Sequence, residues 1–233
     1  MKPRIVVAET SKELLSHAAA DFLALVSEVL ESKPVANIIL TGGSLGIALV
    51  GELAKLNLDL SKVRFMFGDE RFVDLDHEDR NEHQGISLFP ELATRSLLRY
   101  PASDTELLAG QALMNRAMTI SYGGAEDTAE VFDLVILGVG PDGHVASLFP
   151  GHQSNGEWIT AEWDSPKPPS ERLSLSYRAL NRANQVWFLA SGAPKAAVVG
   201  SALDDPNCEL PLAKVKGLQS TSWYLDKELS DAL

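Results

Sequence analysis

Short apolar runs alternate with longer stretches of helical period along the whole chain. Arg4–Ala8, Ala36–Leu40, Val63–Phe67, Phe132–Val139 and Gln185–Ala190 read as strands, and Trp223–Leu225 reads as a short last one. Lys12 to Leu30 carries Leu14, Ala18, Phe22, Leu25 and Val29 on one face, the pattern of a long amphipathic helix. A second helix is expected from about Leu45 to Leu56, and another after Pro194. Helices that join strands in this way imply right-handed crossovers, so the pattern predicts an α/β fold with a mainly parallel sheet flanked by helices. The polar segment Asp74–His83 and the Pro- and Trp-containing segment Gly151–Arg172 read as long loops, which in compact domains are often functional. No repeat or linker divides the chain, and its 233 residues suit one large α/β domain, so a single domain over 1–233 is expected.

Such a sheet binds ligands at the carboxyl ends of its strands, and the turns after the strands hold the candidate chemistry. The segment Asp133–Gly151 stands out. It runs from an apolar strand through Gly138, Gly140 and Gly143 and presents Asp142 and His144. A histidine there can act as a general base near neutral pH, and Asp142 can either orient its ring or close an Asx turn. Gly138, Gly140 and Gly143 also fit a dinucleotide fingerprint, with Glu162 near the place of its acidic partner. That reading is disfavoured, because Pro150-Gly151 leaves no room for the long helix the fingerprint opens.

Thr41-Gly42-Gly43-Ser44-Leu45-Gly46 joins the second strand to a helix. Its glycines can aim N–H groups at an anion. It reads equally as a plain turn with Ser44 as an N-cap. Gly68-Asp69-Glu70-Arg71 ends the third strand and reads either as a polar substrate contact or as a solvated charged turn. Pro166–Arg172 is a stiff loop that projects Lys167 and Arg172, and Arg can grip a phosphate bidentately. In Ser191-Gly192-Ala193-Pro194-Lys195 the proline suits a first helical turn and sets Lys195 beside helix N–H donors.

A net charge of -12 and a pI near 4.8 argue against nucleic acid and anionic membranes as partners. An anionic metabolite then needs a local cluster of cations and N–H groups. With one cysteine, Cys208, no intrachain disulfide can form. The five histidines are scattered and show no zinc spacing, so no metal is expected. The first residues contain no apolar signal core, and no run approaches the ~18 apolar residues of a membrane span. A soluble cytoplasmic protein is the expectation.

In this order the blocks TGGSLG, GDERFV, DLDHEDRNEHQ, LGVGPDGHVASLFPG, PKPPSERLSLS and SGAPK resemble the 6-phosphogluconolactonase family, within the wider glucosamine-6-phosphate isomerase/deaminase group. The likeness covers nearly the whole chain. It implies a modified Rossmann-like domain of the isomerase/CoA-transferase-like type. It also implies hydrolysis of 6-phospho-D-glucono-1,5-lactone to 6-phospho-D-gluconate, the second step of the oxidative pentose phosphate pathway, without metal or cofactor. By position, His144 would activate water, Arg71 would stabilise negative charge near the carbonyl, and Asp69 and Asp142 would shape the site. Gly42, Gly43, Ser44, Arg172 and Lys195 would hold the phosphate. The implied partner is a small phosphorylated sugar lactone, and the chain would be a monomer or weak homodimer.

This chain departs from its relatives in two places. Ser44-Leu45-Gly46 replaces the usual Ser-Thr-Pro, and Arg80-Asn81 replaces Ser-Asn, so that Arg80 is expected either to reach the substrate or to face solvent. The rival amino-sugar-phosphate deaminases carry Asp-Glu-Tyr at Asp69-Glu70-Arg71 and a Glu at Phe149. A sugar-phosphate sensor would normally add a DNA-binding module, of which there is no trace.

Overall fold

The computed structural model describes residues 2–57, 59–95, 97–123, 130–154 and 157–233. In chain order its strands and α-helices are β1 (Arg4–Ala8), α1 (Ser11–Ser32), β2 (Ala36–Leu40), α2 (Gly43–Leu53), β3 (Val63–Phe67), β4 (Asp69–Arg71), α3 (Asn81–Leu88), α4 (Leu92–Arg95), α5 (Leu107–Tyr122), β5 (Phe132–Gly138), β6 (Ile159–Glu162), β7 (Arg172–Leu175), α6 (Tyr177–Leu180), β8 (Ala183–Ala190), α7 (Ala196–Asp204), β9 (Ser220–Asp226) and α8 (Lys227–Ser230).

The expected parallel sheet is present, with strand order β1-β9-β8-β5-β2-β3 and every neighbouring pair parallel. Its centre is largely apolar: Phe132 and Leu134 to Leu137 of β5 are fully buried, as in a strand covered by helices on both faces, and the one buried carboxylate of that strand, Asp133, is paired with Lys33 and Asn37 N. Helix α1 starts on Thr10, whose hydroxyl accepts a hydrogen bond from Glu13 N, while the Glu13 carboxylate accepts one from Glu9 N. It buries Leu14, Leu15, Ala18, Ala19, Phe22, Leu25 and Val26, and Val29, the last residue of the stripe expected from the sequence, packs against the core while partly buried. No helix among the described residues is long and apolar enough to cross a membrane.

The chain runs outward from β2 to β3 and then returns to β5 on the other side of β2. The two crossovers therefore diverge at the carboxyl ends of β2 and β5, which is where open sheets form ligand crevices. There Thr41 Oγ1 accepts a hydrogen bond from Gly138 N at 3.0 Å and ties the two ends together.

Several expectations are corrected. The sheet is not alone: β4, β7 and β6 form a second, antiparallel sheet. The chain changes sheets at Gly68, whose N–H donates to Leu40 O while its carbonyl accepts from Leu175 N, both at 2.8 Å. Asp69–Arg71 is thus a strand, with Asp69 and Glu70 buried, and not a solvated turn. The expected loop Gly151–Arg172 contains β6, and the expected loop Asp74–His83 ends inside α3. Helix α2 begins at Gly43 and ends at Leu53, so Ser44 lies within the helix and is not its cap. The last strand extends over Ser220–Asp226, because pairing with both β1 and β8 recruits its polar leading end. Helix α5 has no counterpart in the sequence reading; it buries Leu107, Gly110, Gln111, Met114 and Met118.

Candidate active site

A cleft of about 500 Å³ opens at the carboxyl ends of the parallel strands. Gly42, Gly43, Ser44, Asp69, Arg71, His144, Arg172 and Lys195 all line it. Eight candidate residues scattered from position 42 to position 195 are therefore brought together. Asp142, the ninth, does not line the cleft and touches it through His144.

The imidazole of His144 is held from two sides. Its Nδ1 lies 2.5 Å from Asp142 Oδ1, and its backbone N–H donates to the same oxygen at 3.3 Å. One carboxylate therefore both closes the turn and orients the ring. Burial pushes the Asp142 carboxyl up, but the charge and hydrogen bonds of His144 outweigh this and leave it below the usual carboxylate range. On the other side Phe149, buried, packs its ring on the imidazole at 4.7 Å between centroids and 47° between planes. Gly140 makes room: a β-carbon there would lie 2.1 Å from His144 Nδ1. Gly143 turns with φ +82, a conformation that favours glycine. No helix follows this glycine turn. Glu162 is engaged elsewhere, with His152 Nδ1 and Asp164 N, so no dinucleotide fingerprint is formed.

The opposite wall rests on a buried ionic network. Glu70, 1 % exposed, accepts from the backbone N–H groups of Asn81 at 2.7 Å and of Glu82 at 2.8 Å, the opening donors of α3. It supplies from a distance the cap that Arg80, at the N-cap position, does not provide. Burial, then the neighbouring Glu82 charge, pushes the Glu70 carboxyl up to about 8. Arg80 is fully buried, which overturns both expectations for it. It binds Glu82 at 3.0 Å and the carbonyl of Val73 at 3.0 Å, and neither reaches the cleft nor faces solvent. Arg71 donates to the carbonyl of Asp79 through Nη1, while its Nε is buried without a partner. Asp69 accepts from Ser147 Oγ at 2.6 Å.

Cationic groups gather on the remaining side. Arg172 donates to the carbonyls of Lys167 at 2.7 Å and Pro169 at 3.1 Å, and its Nη1 lies 4.0 Å from Asp69. It clamps the Pro-rich loop as well as facing the cleft. Burial lowers its pKa from the usual arginine value. Lys195 is also lowered, first by burial and then by the nearby Lys167. Lys167 lines the cleft and is exposed. The turn that carries Lys195 is fixed by Asp226 at the end of β9, which accepts from Ser191 Oγ at 2.5 Å and Gly192 N at 3.0 Å. The α2 N-terminus, with no side-chain cap, faces the same space.

Asn81, 1 % exposed and lining the cleft, was not singled out as a site residue from sequence. Nothing local marks it, because only the antiparallel sheet and the Glu70 cap bring it to the wall. Among the described residues, no three His, Cys, Asp or Glu side chains gather as metal ligands would.

Residues 9–223 match the family described as glucosamine-6-phosphate isomerases/6-phosphogluconolactonase. A 6-phosphogluconolactonase of Mycobacterium leprae is 32% identical over 240 residues, covering 98% of this chain and 97% of its own. One of Rattus norvegicus is 36% identical over 204 residues, covering 81% of this chain and 77% of its own. The structure of a Trypanosoma brucei 6-phosphogluconolactonase superposes with a TM-score of 0.87 at 27% identity, covering 100% of this chain and 99% of that one.

Proposed function

The chain belongs to the glucosamine-6-phosphate isomerase/6-phosphogluconolactonase family, and from that premise we propose that it hydrolyses 6-phospho-D-glucono-1,5-lactone to 6-phospho-D-gluconate. It is then a carboxylic-ester hydrolase acting at the second step of the oxidative pentose phosphate pathway. One observation carries the reading: a carboxylate-oriented histidine shares a single cleft with an uncapped helix N-terminus and two cationic side chains, Arg172 and Lys195.

Asp142 engages His144 Nδ1, so Nε2 is the nitrogen left to take a proton. His144 removes a proton from water as the water oxygen bonds to the lactone carbonyl carbon. The carbonyl π electrons move onto oxygen, and Arg71 stabilises that oxyanion. When the oxyanion collapses, the bond to the ring oxygen breaks. The ring oxygen takes the proton back from His144 and becomes a hydroxyl, leaving a carboxylic acid that ionises in solution. A lactone is an activated ester, so the step requires no covalent nucleophile, metal or cofactor.

The phosphate docks on the N–H groups of Gly42, Gly43 and Ser44 at the start of α2, with Arg172 and Lys195 adding charge. Asp69 and Asp142 hold the two walls. This local cluster reconciles an anionic substrate with a chain of net charge -12. Phe149, not a carboxylate, packs against His144, which supports ester hydrolysis over deamination. A single domain over 1–233, a cytoplasmic setting and a monomer or weak homodimer complete the proposal.

Freshly generated lactone supplies the test, with acid release followed in weak buffer and the spontaneous rate subtracted. Acceleration by the wild type and not by His144→Ala is expected. No acceleration by the wild type, together with ammonia release from glucosamine 6-phosphate, would replace this reading with the deaminase one.

A further inference from the structure

We infer that Asn81 recognises a ring hydroxyl of the substrate, accepting its hydrogen bond at Oδ1. The inference rests on the lactonase reading and assigns one of its specificity contacts.

Among the described residues, four buried side-chain polar atoms lack a partner, and two of them belong to residues of this cleft: Arg71 Nε and Asn81 Oδ1. The amide of Asn81 is not free to turn. Its Nδ2 donates to the carbonyl of Asp69 at 2.9 Å, and its backbone N–H is held by Glu70. Oδ1 is therefore the end left over. It lies flat against the glycine turn, where a β-carbon on Gly42 would come within 2.1 Å of it. The side chain sits between the turn assigned to the phosphate and the Asp69 wall.

An unpartnered buried acceptor selects for a donor. A phosphate dianion, the lactone carbonyl and the ring oxygen are all acceptors. The donors that a 6-phosphorylated 1,5-lactone offers are its hydroxyls at C2, C3 and C4. Asn81 thus reads a secondary hydroxyl, while the N–H groups and cations opposite it read the phosphate.

The experiment compares kcat/KM for the parent lactone and for its 2-deoxy, 3-deoxy and 4-deoxy forms, with wild type and Asn81→Ala. The wild type is expected to lose about 10- to 100-fold on one deoxy lactone, the usual penalty for stranding a buried polar partner. Asn81→Ala is expected to lose a similar factor on the parent and nothing further on that same deoxy lactone. A purely structural role, through the lost contact to Asp69, would lower all four substrates together and leave their ratios unchanged. Asn81→Ser serves in its place should the alanine variant not fold. Equal wild-type kcat/KM on all four lactones, or wild-type ratios retained in the variant, would overturn the assignment. Failure of the wild type on the parent lactone would overturn the lactonase reading and this inference with it.

Discussion

Gly140 and His144 compete for the same space: a β-carbon on Gly140 would lie 2.1 Å from His144 Nδ1 and 2.2 Å from Cε1. The orientation of the imidazole thus depends on a side chain that is missing four residues away. Gly140→Ala should push the ring off Asp142 without unfolding the sheet. The expected outcome is a fall in kcat approaching that of His144→Ala, with a melting temperature lowered by only a few degrees. A variant with wild-type kcat would show that the ring orientation seen here is not required for turnover.

His144→Ala should lower kcat by about 10²- to 10⁴-fold, the usual range for a general base. Binding of the product, 6-phosphogluconate, should change little, since the phosphate and hydroxyl contacts lie elsewhere. Asp142→Asn keeps an acceptor for Nδ1 but loses the charge, so a smaller loss is expected. Calorimetric titration with product, alongside single-turnover rates, separates the two effects.

Arg172 and Lys195 should behave differently although both are assigned to the phosphate. Lys195→Ala removes a charge from a turn that Asp226 already holds, so KM should rise about 10- to 100-fold with little change in stability. Arg172→Ala also releases the carbonyls of Lys167 and Pro169, so it should cost about 2–3 kcal/mol of stability besides raising KM. Denaturant melts read the first difference. Equal losses on an unphosphorylated lactone would contradict phosphate anchoring for either residue.

Glu70 makes stability depend on pH in a defined direction. Its carboxyl ionises near 4.5 ordinarily and near 8 in the fold, so the folded chain holds the extra proton between those values. The stabilisation is complete below about 4.5 and is lost as pH rises through about 8. Glu70→Gln cannot ionise and keeps one acceptor for the α3 N–H groups. The wild type should therefore lose melting temperature from pH 6 to pH 9 more steeply than Glu70→Gln. Parallel curves would show that Glu70 does not titrate in that window.

The strands that were legible in sequence are those buried on both faces. Leu134–Leu137 and Ile38–Leu40 read as continuous apolar runs because both faces of these strands are buried. The second sheet was hidden because β4 is Asp-Glu-Arg and β6 is Ile-Thr-Ala-Glu. Their polar side chains point to partners supplied by distant residues, such as Asn81 and Glu82 for Glu70. Of the two readings open for Ser44, the N-cap falls away because the helix winds directly from Gly43, which leaves Ser44 in its first turn at the cleft. Arg80 was misplaced because a charged residue in a polar stretch ordinarily faces water; Glu82 and three backbone carbonyls bury it instead.

By itself the sequence determined the α/β class, the parallel order of strand and helix, the glycine turns and the residue types that the chemistry requires. These depend on periodicity and on backbone conformations set within a few residues. Tertiary structure alone decided that β2 and β5 lie side by side with their crossovers diverging, so that Ser44, His144 and Lys195 face one cleft. It also decided that Glu70 caps α3 and thereby presents Asn81 with an unpaired oxygen. A hydrogen bond or a shared wall between residues far apart in the chain is a property of how the layers pack, and no local pattern encodes it.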